Sequence, residues 1–164
     1  MKTITKLTLA IFVLLQLTAC GKKNQQPDMP LTDCPANAGC QYTFYDTPVA
    51  NAGTSPQPNP GLLTFLYQQN YNSMCGLQNM LYFYINTTAD SFEISDADIK
   101  NKTYYSTSCV CCDIAPVKTL SGHVTGKKIN NDKWLIDANI VLALTDNNKP
   151  IDTIIVRQYF LRKQ

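Results

Sequence analysis

Between Trp134 and Thr145, apolar and polar residues alternate along the chain with a period of two. The apolar positions are Trp134, Ile136, Ala138, Ile140, Leu142 and Leu144, and the residues between them include Asp137 and Asn139. A β-strand presents alternate residues to opposite faces, whereas a helix would scatter the same residues around its axis. The pattern therefore predicts a long strand with one buried face, which restricts the chain to folds built on a sheet.

Turn-forming residues flank this strand at 130–132 and 146–150, with candidate strands at Val117–Ile129 and Thr153–Arg162. The last 48 residues thus predict a three-stranded antiparallel meander. Shorter apolar or alternating stretches predict further strands at Gln41–Tyr45, Leu62–Gln68, Leu81–Ile85 and Phe92–Ser95, with one helical turn at Asp96–Lys102. We expect a mainly β protein, either an antiparallel β-sandwich or a small β-barrel stabilised by disulfides.

The chain has 164 residues, which is room for one domain. We assign residues 62–164 to the antiparallel β core. Residues 34–61 comprise a cysteine loop, a short strand and a loop that contains Pro48, Pro56, Pro58 and Pro60.

The first residues have the features of a bacterial export signal. Lys2 and Lys6 precede the apolar stretch Leu7–Leu17, which is too short to span a bilayer. The stretch ends in Leu17-Thr18-Ala19-Cys20, which resembles the lipobox of bacterial lipoproteins. The resemblance implies that residues 1–19 are removed as a signal peptide and that Cys20 is acylated. It covers the leader and Cys20 alone.

The lipoprotein resemblance also implies a location. Residues 20–33 are polar, contain two prolines and predict a lipid anchor followed by a flexible tether. Gly21 stands where an Asp would retain many lipoproteins at the inner membrane, so the resemblance implies an outer-membrane protein that faces the periplasm. Without Lys2 and Lys6 the chain has 12 basic and 12 acidic residues, which disfavours nucleic acid as a partner.

Six cysteines remain after Cys20, and an oxidising envelope predicts three disulfides. We exclude a bond between the adjacent Cys111 and Cys112 because it would need a strained ring. One arrangement joins Cys34 to Cys40 and Cys75 to a member of the cluster Cys109, Cys111 and Cys112, so that Cys109 bonds to Cys111 or Cys112. In the other, the three clustered cysteines each bond to one of Cys34, Cys40 and Cys75.

Other residue patterns suggest sites. Cys109, Cys111 and Cys112 could bind Cu(I) or Zn with help from His123 or Met74, although the paired C-x-x-C spacing of structural zinc sites is absent. Ser121 and His123 share a strand face but lack a nucleophile elbow. Asp96 and Asp98 lack the Gly and Glu of a calcium loop. Tyr82 and Tyr84 alternate with apolar residues and form a candidate binding face.

These observations predict a lipid-anchored bacterial envelope protein that acts as a non-catalytic binding or structural module. Its partners would be the membrane, through the N-terminal lipid, and an envelope protein or a glycan. We expect no enzymatic activity, no cofactor and no metal. The alternative is a metal- or thiol-handling envelope protein that uses Cys109, Cys111 and Cys112. A hydrolase based on Ser121 and His123 is the weakest hypothesis.

Overall fold

The computed structural model describes residues 29–46, 62–86 and 88–163. In these ranges the chain forms eight strands and one short helix. The elements are β1 Ala38–Tyr45, β2 Leu62–Tyr71, β3 Gln78–Asn86, β4 Ser91–Ile94, α1 Asp96–Lys102, β5 Thr103–Ser108, β6 Val117–Asn130, β7 Lys133–Leu144 and β8 Pro150–Arg162.

All eight strands belong to one sheet, in the order β4-β6-β7-β8-β1-β2-β3-β5. Neighbouring described strands are antiparallel, except that β1 and β8 are parallel. The sheet curls into a half-barrel, and α1 contacts β4 and β6 near one end and β3 and β5 near the other. The mainly β fold class is therefore confirmed, as is the meander, which is β6-β7-β8. The single curled sheet selects the barrel-like alternative over the sandwich.

The alternation in β7 produces the expected burial. Trp134, Ile136, Ala138 and Ile140 are at most 1% exposed, and the residues between them are half-buried or exposed. The opposite side of the interior is formed by a row of cross-strand rings, in which Phe44 pairs with Phe65 and Phe65 with Phe83. The concave side of the sheet therefore encloses one aromatic and aliphatic core.

The predicted helical turn is α1, which has two turns. Asp96 and Asp98 lie in its first turn and Lys100 and Lys102 in its last, an arrangement that complements the helix dipole. Ile99 is fully buried and fixes α1 to the core. The structure also contains a strand that the sequence analysis does not predict, β5, in which buried Thr103 and Tyr105 alternate with half-buried residues.

The residues before β1 bind along the edge of β8. The amide of Thr32 donates to the carbonyl of Arg157 at 2.8 Å, and the amide of Arg157 donates to Thr32 Oγ1 at 2.8 Å. Gln158 Nε2 also donates to the carbonyl of Thr32. The predicted tether, residues 20–33, is therefore attached to β8 over its last residues.

Several predictions fall outside the described residues. They concern the signal peptide, acylated Cys20, the tether up to residue 28 and most of the Pro-rich loop, residues 47–61. Within the described ranges, no helix has the length and apolar character needed to cross a membrane.

Candidate functional site

A shallow groove lies on the outer side of the sheet, where α1 begins beside β6 and β7. Its volume is about 490 Å³, and it is widely open to solvent. Strand β6 supplies Ser121, Gly122 and His123, and the other lining residues are Ser95, Asp96, Ala97, Asn139 and Val141. We call these eight residues the α1–β6 groove.

An irregular stretch of β6 shapes the floor of this groove. The pairing of β6 with β7 shifts register between Thr119 and Ser121, which indicates a β-bulge. Gly122 follows the bulge with φ +141°, and a Cβ atom there would lie 2.2 Å from the carbonyl oxygen of Asn139. Its amide donates to Asp96 Oδ1 at 2.5 Å. Glycine therefore allows β6 to approach β7 closely while its amide holds the first residue of α1.

Polar groups that both donate and accept hydrogen bonds surround the groove. His123 Nε2 lies 3.0 Å from Glu93 Oε1, and both side chains are more than half exposed. Asn139 pairs with His123 across the strands and is also exposed. This arrangement can bind a polar ligand through several hydrogen bonds while leaving the ligand partly open to solvent.

The structure brings Ser121, His123 and Asp96 into one groove, which the sequence did not predict. Among the described residues, the side chain of His123 pairs with Glu93 on β4 and not with Ser121. Asp96 and Asp98 lie on α1 and not in a loop, and Asp98 forms an ion pair with Lys102 at 2.6 Å. The calcium-loop resemblance is therefore explained by an ordinary helix start.

The cysteines form three pairs at disulfide distance: Cys34–Cys40, Cys75–Cys111 and Cys109–Cys112, with Cα separations of 5.8, 5.3 and 5.5 Å. The first predicted arrangement is confirmed, and Cys109 bonds to Cys112. The second arrangement, which attached Cys34 and Cys40 to the cluster, is wrong, because Cys34 and Cys40 bond to each other where the chain enters β1.

The remaining two disulfides form a compact group, which we call the cysteine tip. Cys75 lies in the β2–β3 turn and the other three in the β5–β6 loop, and the amide of Val110 donates to the carbonyl of Cys75. The sulfurs of Cys75, Cys109 and Cys111 all lie within 4.8 Å of one another. His123, which we considered as a helper ligand, lies in the α1–β6 groove. Met74 precedes Cys75 and is fully exposed.

The candidate face formed by Tyr82 and Tyr84 is not an exposed aromatic surface. Tyr82 is 3% exposed, and its hydroxyl donates to Met80 Sδ at 3.3 Å. Tyr84 is half-buried. Strand β3 lies between β2 and β5, and residues on both of its faces are covered, so Tyr82 is not available to a partner.

A second tyrosine group is also part of the packing. The rings of Tyr42 and Tyr67 stack with centroids 5.1 Å apart, and burial raises the pKa of both hydroxyls above the usual value. Tyr105 lines a smaller cavity of about 220 Å³ beside residues 114–117, and burial raises its pKa as well. These tyrosines are neutral at physiological pH and act as core residues with polar tips.

Comparisons with known protein families, with curated proteins and with solved structures find no match to this chain.

The sequence analysis did not identify Ser95, Gly122 or Asn139 as site residues. A single Gly within a strand pattern often marks a bulge or a close backbone approach, so Gly122 carried a usable signal. No pattern in the sequence marks Ser95 or Asn139, because each becomes part of the groove only when α1 and β7 pack beside β6.

Proposed function

We propose that this chain is a lipid-anchored protein of the bacterial cell envelope whose β domain is a non-catalytic binding module. The residues Leu17-Thr18-Ala19-Cys20 support the anchor through their resemblance to a lipobox. Three disulfides suit an oxidising compartment such as the periplasm, and Gly21 favours the outer membrane.

The observation that carries the binding function is the α1–β6 groove. Its lining mixes hydroxyl, carboxylate, imidazole and amide groups with Ala97 and Val141. Such a lining favours a ligand rich in hydroxyl and amide groups, because each group offers a donor or an acceptor. Cell-wall glycan fragments, which carry both, are the ligand class that we propose.

Removing one polar side chain of the groove tests this function. The Cys20→Ala chain, exported to a periplasm, is titrated with soluble disaccharide–peptide fragments of peptidoglycan by calorimetry. We expect Asn139→Ala to weaken binding about 3- to 10-fold, since one neutral hydrogen bond contributes about 0.5–1.5 kcal/mol.

Asn101→Ala is the matched control, because Asn101 is an exposed Asn on α1 outside the groove. Binding unaffected by Asn139→Ala, or no binding of the fragments, would refute the groove as their site. Mass spectrometry of the fragments after incubation with the protein tests whether the module is non-catalytic, because turnover of the fragments would contradict that claim.

A second candidate is a metal- or thiol-handling function at the cysteine tip. It is favoured by one observation: three sulfurs lie within 4.8 Å of one another, two of them joined in the Cys75–Cys111 disulfide, so that reduction would free thiolates that suit soft metal ions. Cys111 and Cys112 are also exposed, so a reductant could reach them.

Intact mass with thiol alkylation distinguishes the two candidates. For the Cys20→Ala chain without reductant, we expect no alkylation and a mass lower by six hydrogens, because three disulfides form. The same chain after reduction and unfolding serves as the control and should take up six labels. Two or more free thiols, or a bound metal ion, would favour the second candidate instead.

A further inference from the structure

Five exposed apolar side chains lie on β8 or in the segment, residues 29–32, that hydrogen-bonds to Arg157 of β8. They are Met29, Leu31, Ile155, Tyr159 and Leu161, and each is 38–62% exposed. We call this set the β8 patch. It contrasts with the opposite face of the same strand, where Val156 and Phe160 are fully buried.

The hydrogen bonds of Arg157 place the start of the described chain on this outer face. Arg157 Nη1 donates to Asp137 Oδ2 at 2.8 Å, and Asp137 is its cross-strand neighbour on β7. The same guanidinium donates from Nε to the carbonyl of Met29 at 3.1 Å. Met29 therefore lies beside the outward residues of β8, and the pair Arg157–Asp137 neutralises the charges within the patch.

The length of chain before Met29 limits how far this face can be from an anchor at Cys20. Nine residue steps separate them, and they span at most about 30 Å when fully extended. A domain of this size is about 35 Å across, by the usual scaling of the radius of gyration. A lipid on Cys20 therefore keeps Met29 within about 30 Å of the bilayer, so the side of the domain opposite Met29 cannot rest on the membrane.

The position of β8 in the sheet shows which part of the domain lies opposite the β8 patch. Strands β8 and β1 are the two middle strands in the sheet order, while α1 packs where the two ends of the curled sheet approach each other. The exposed side of α1 and the β8 patch therefore lie on opposite sides of the half-barrel.

The residues around the patch are typical of a membrane–water boundary. Lys133 Nζ lies over the ring of Tyr159 at 5.0 Å, and Lys163 Nζ lies 5.8 Å from the ring of Tyr45. Neither lysine forms an ion pair with an acidic residue in the described ranges. Tyrosine and lysine are favoured at this boundary because each combines an apolar body with a polar tip.

We propose that the β8 patch rests on the surface of the phospholipid bilayer and fixes the orientation of the domain on the membrane. This inference depends on the lipid anchor of the proposed function. The occupant is the bilayer and not a second copy of the chain, because the anchor delivers the membrane to this face. The α1–β6 groove then opens directly beside the contact, because its residue Asn139 on β7 is the cross-strand neighbour of Ile155.

Fluorescence quenching tests this orientation with the acylated chain in vesicles of phosphatidylethanolamine and phosphatidylglycerol. One batch of vesicles carries bromine on the acyl chains, which quenches tryptophans that enter the bilayer. The native Trp134 is 1% exposed and gives a constant background. The test variants are Ile155→Trp and the conservative Tyr159→Trp, and Asn101→Trp on the far side is the matched control.

We expect brominated lipid to reduce the added emission of Ile155→Trp and Tyr159→Trp about 2-fold or more, because interfacial side chains reach ~5–10 Å into the headgroup–acyl boundary. The emission of Asn101→Trp should be the same in both batches. Equal quenching of all three variants, or quenching of none, would overturn the proposal. So would an emission shift of Ile155→Trp that depends on protein concentration and not on lipid, which would assign the patch to a second copy.

Flotation of the vesicles separates this inference from the anchor on which it depends. If the unmodified chain floats with vesicles and Cys20→Ala does not, while Ile155→Trp is unquenched, the orientation is wrong and the anchor stands. If the unmodified chain is not acylated and does not float, the anchor fails and the orientation fails with it.

Discussion

Gly122→Ala should destabilise the domain by about 2–6 kcal/mol, because backbone strain and overpacking each cost about 1–3 kcal/mol. The φ of +141° disfavours any residue with a side chain, and the new Cβ would lie 2.2 Å from the carbonyl oxygen of Asn139. Since that neighbour is backbone, no side-chain rotation relieves the contact. Urea unfolding of the oxidised Cys20→Ala chain measures the effect as a lower midpoint.

Gly39→Ala is the matched control for this substitution. Gly39 lies in β1, and a Cβ there would meet the carbonyl oxygen of Asn70 at 4.0 Å, an ordinary contact. We expect its unfolding midpoint to change by the equivalent of no more than about 0.5 kcal/mol, as for most surface positions. Equal midpoints for the two variants would show that β6 does not need glycine at position 122.

Phe65→Ala should destabilise the domain by about 3–5 kcal/mol, the usual cost of removing a buried aromatic ring. Phe65 is fully buried at the centre of the core. Its ring centroid lies 5.1–5.9 Å from five other rings, those of Phe83, Phe92, Trp134, Phe44 and Phe160. These rings belong to six different strands together with Phe65, so the cavity weakens most of the sheet at once.

Ile129→Ala tests whether the loss reflects burial. Ile129 is 47% exposed near the end of β6, so its truncation should cost less than about 1 kcal/mol. Thermal unfolding followed by near-ultraviolet circular dichroism reports both stability and the packing of Trp134. A similar small loss for Phe65→Ala would show that this aromatic cluster is not the centre of the stable core.

Much of the sheet could be predicted because strand periodicity is a local property. The alternation from Trp134 to Leu144 specified both β7 and its buried face, and turn residues on either side specified the meander. Strand β5 was not predicted, since Thr103–Ser108 is rich in polar residues and becomes a strand through its pairing with β3. The candidate site was largely missed, because its residues come from α1, β6 and β7 and meet only after packing.

The sequence by itself determined the β class, the alternation of the long strands and the set of six cysteines after Cys20, because each follows from residue type and spacing. Tertiary structure decided three other features: the curl of one sheet, the bond of Cys109 to Cys112 and the attachment of Met29 and Thr32 to β8. Each of these depends on contacts between residues that are distant in the chain, or on which of several equivalent sulfurs the loops bring together.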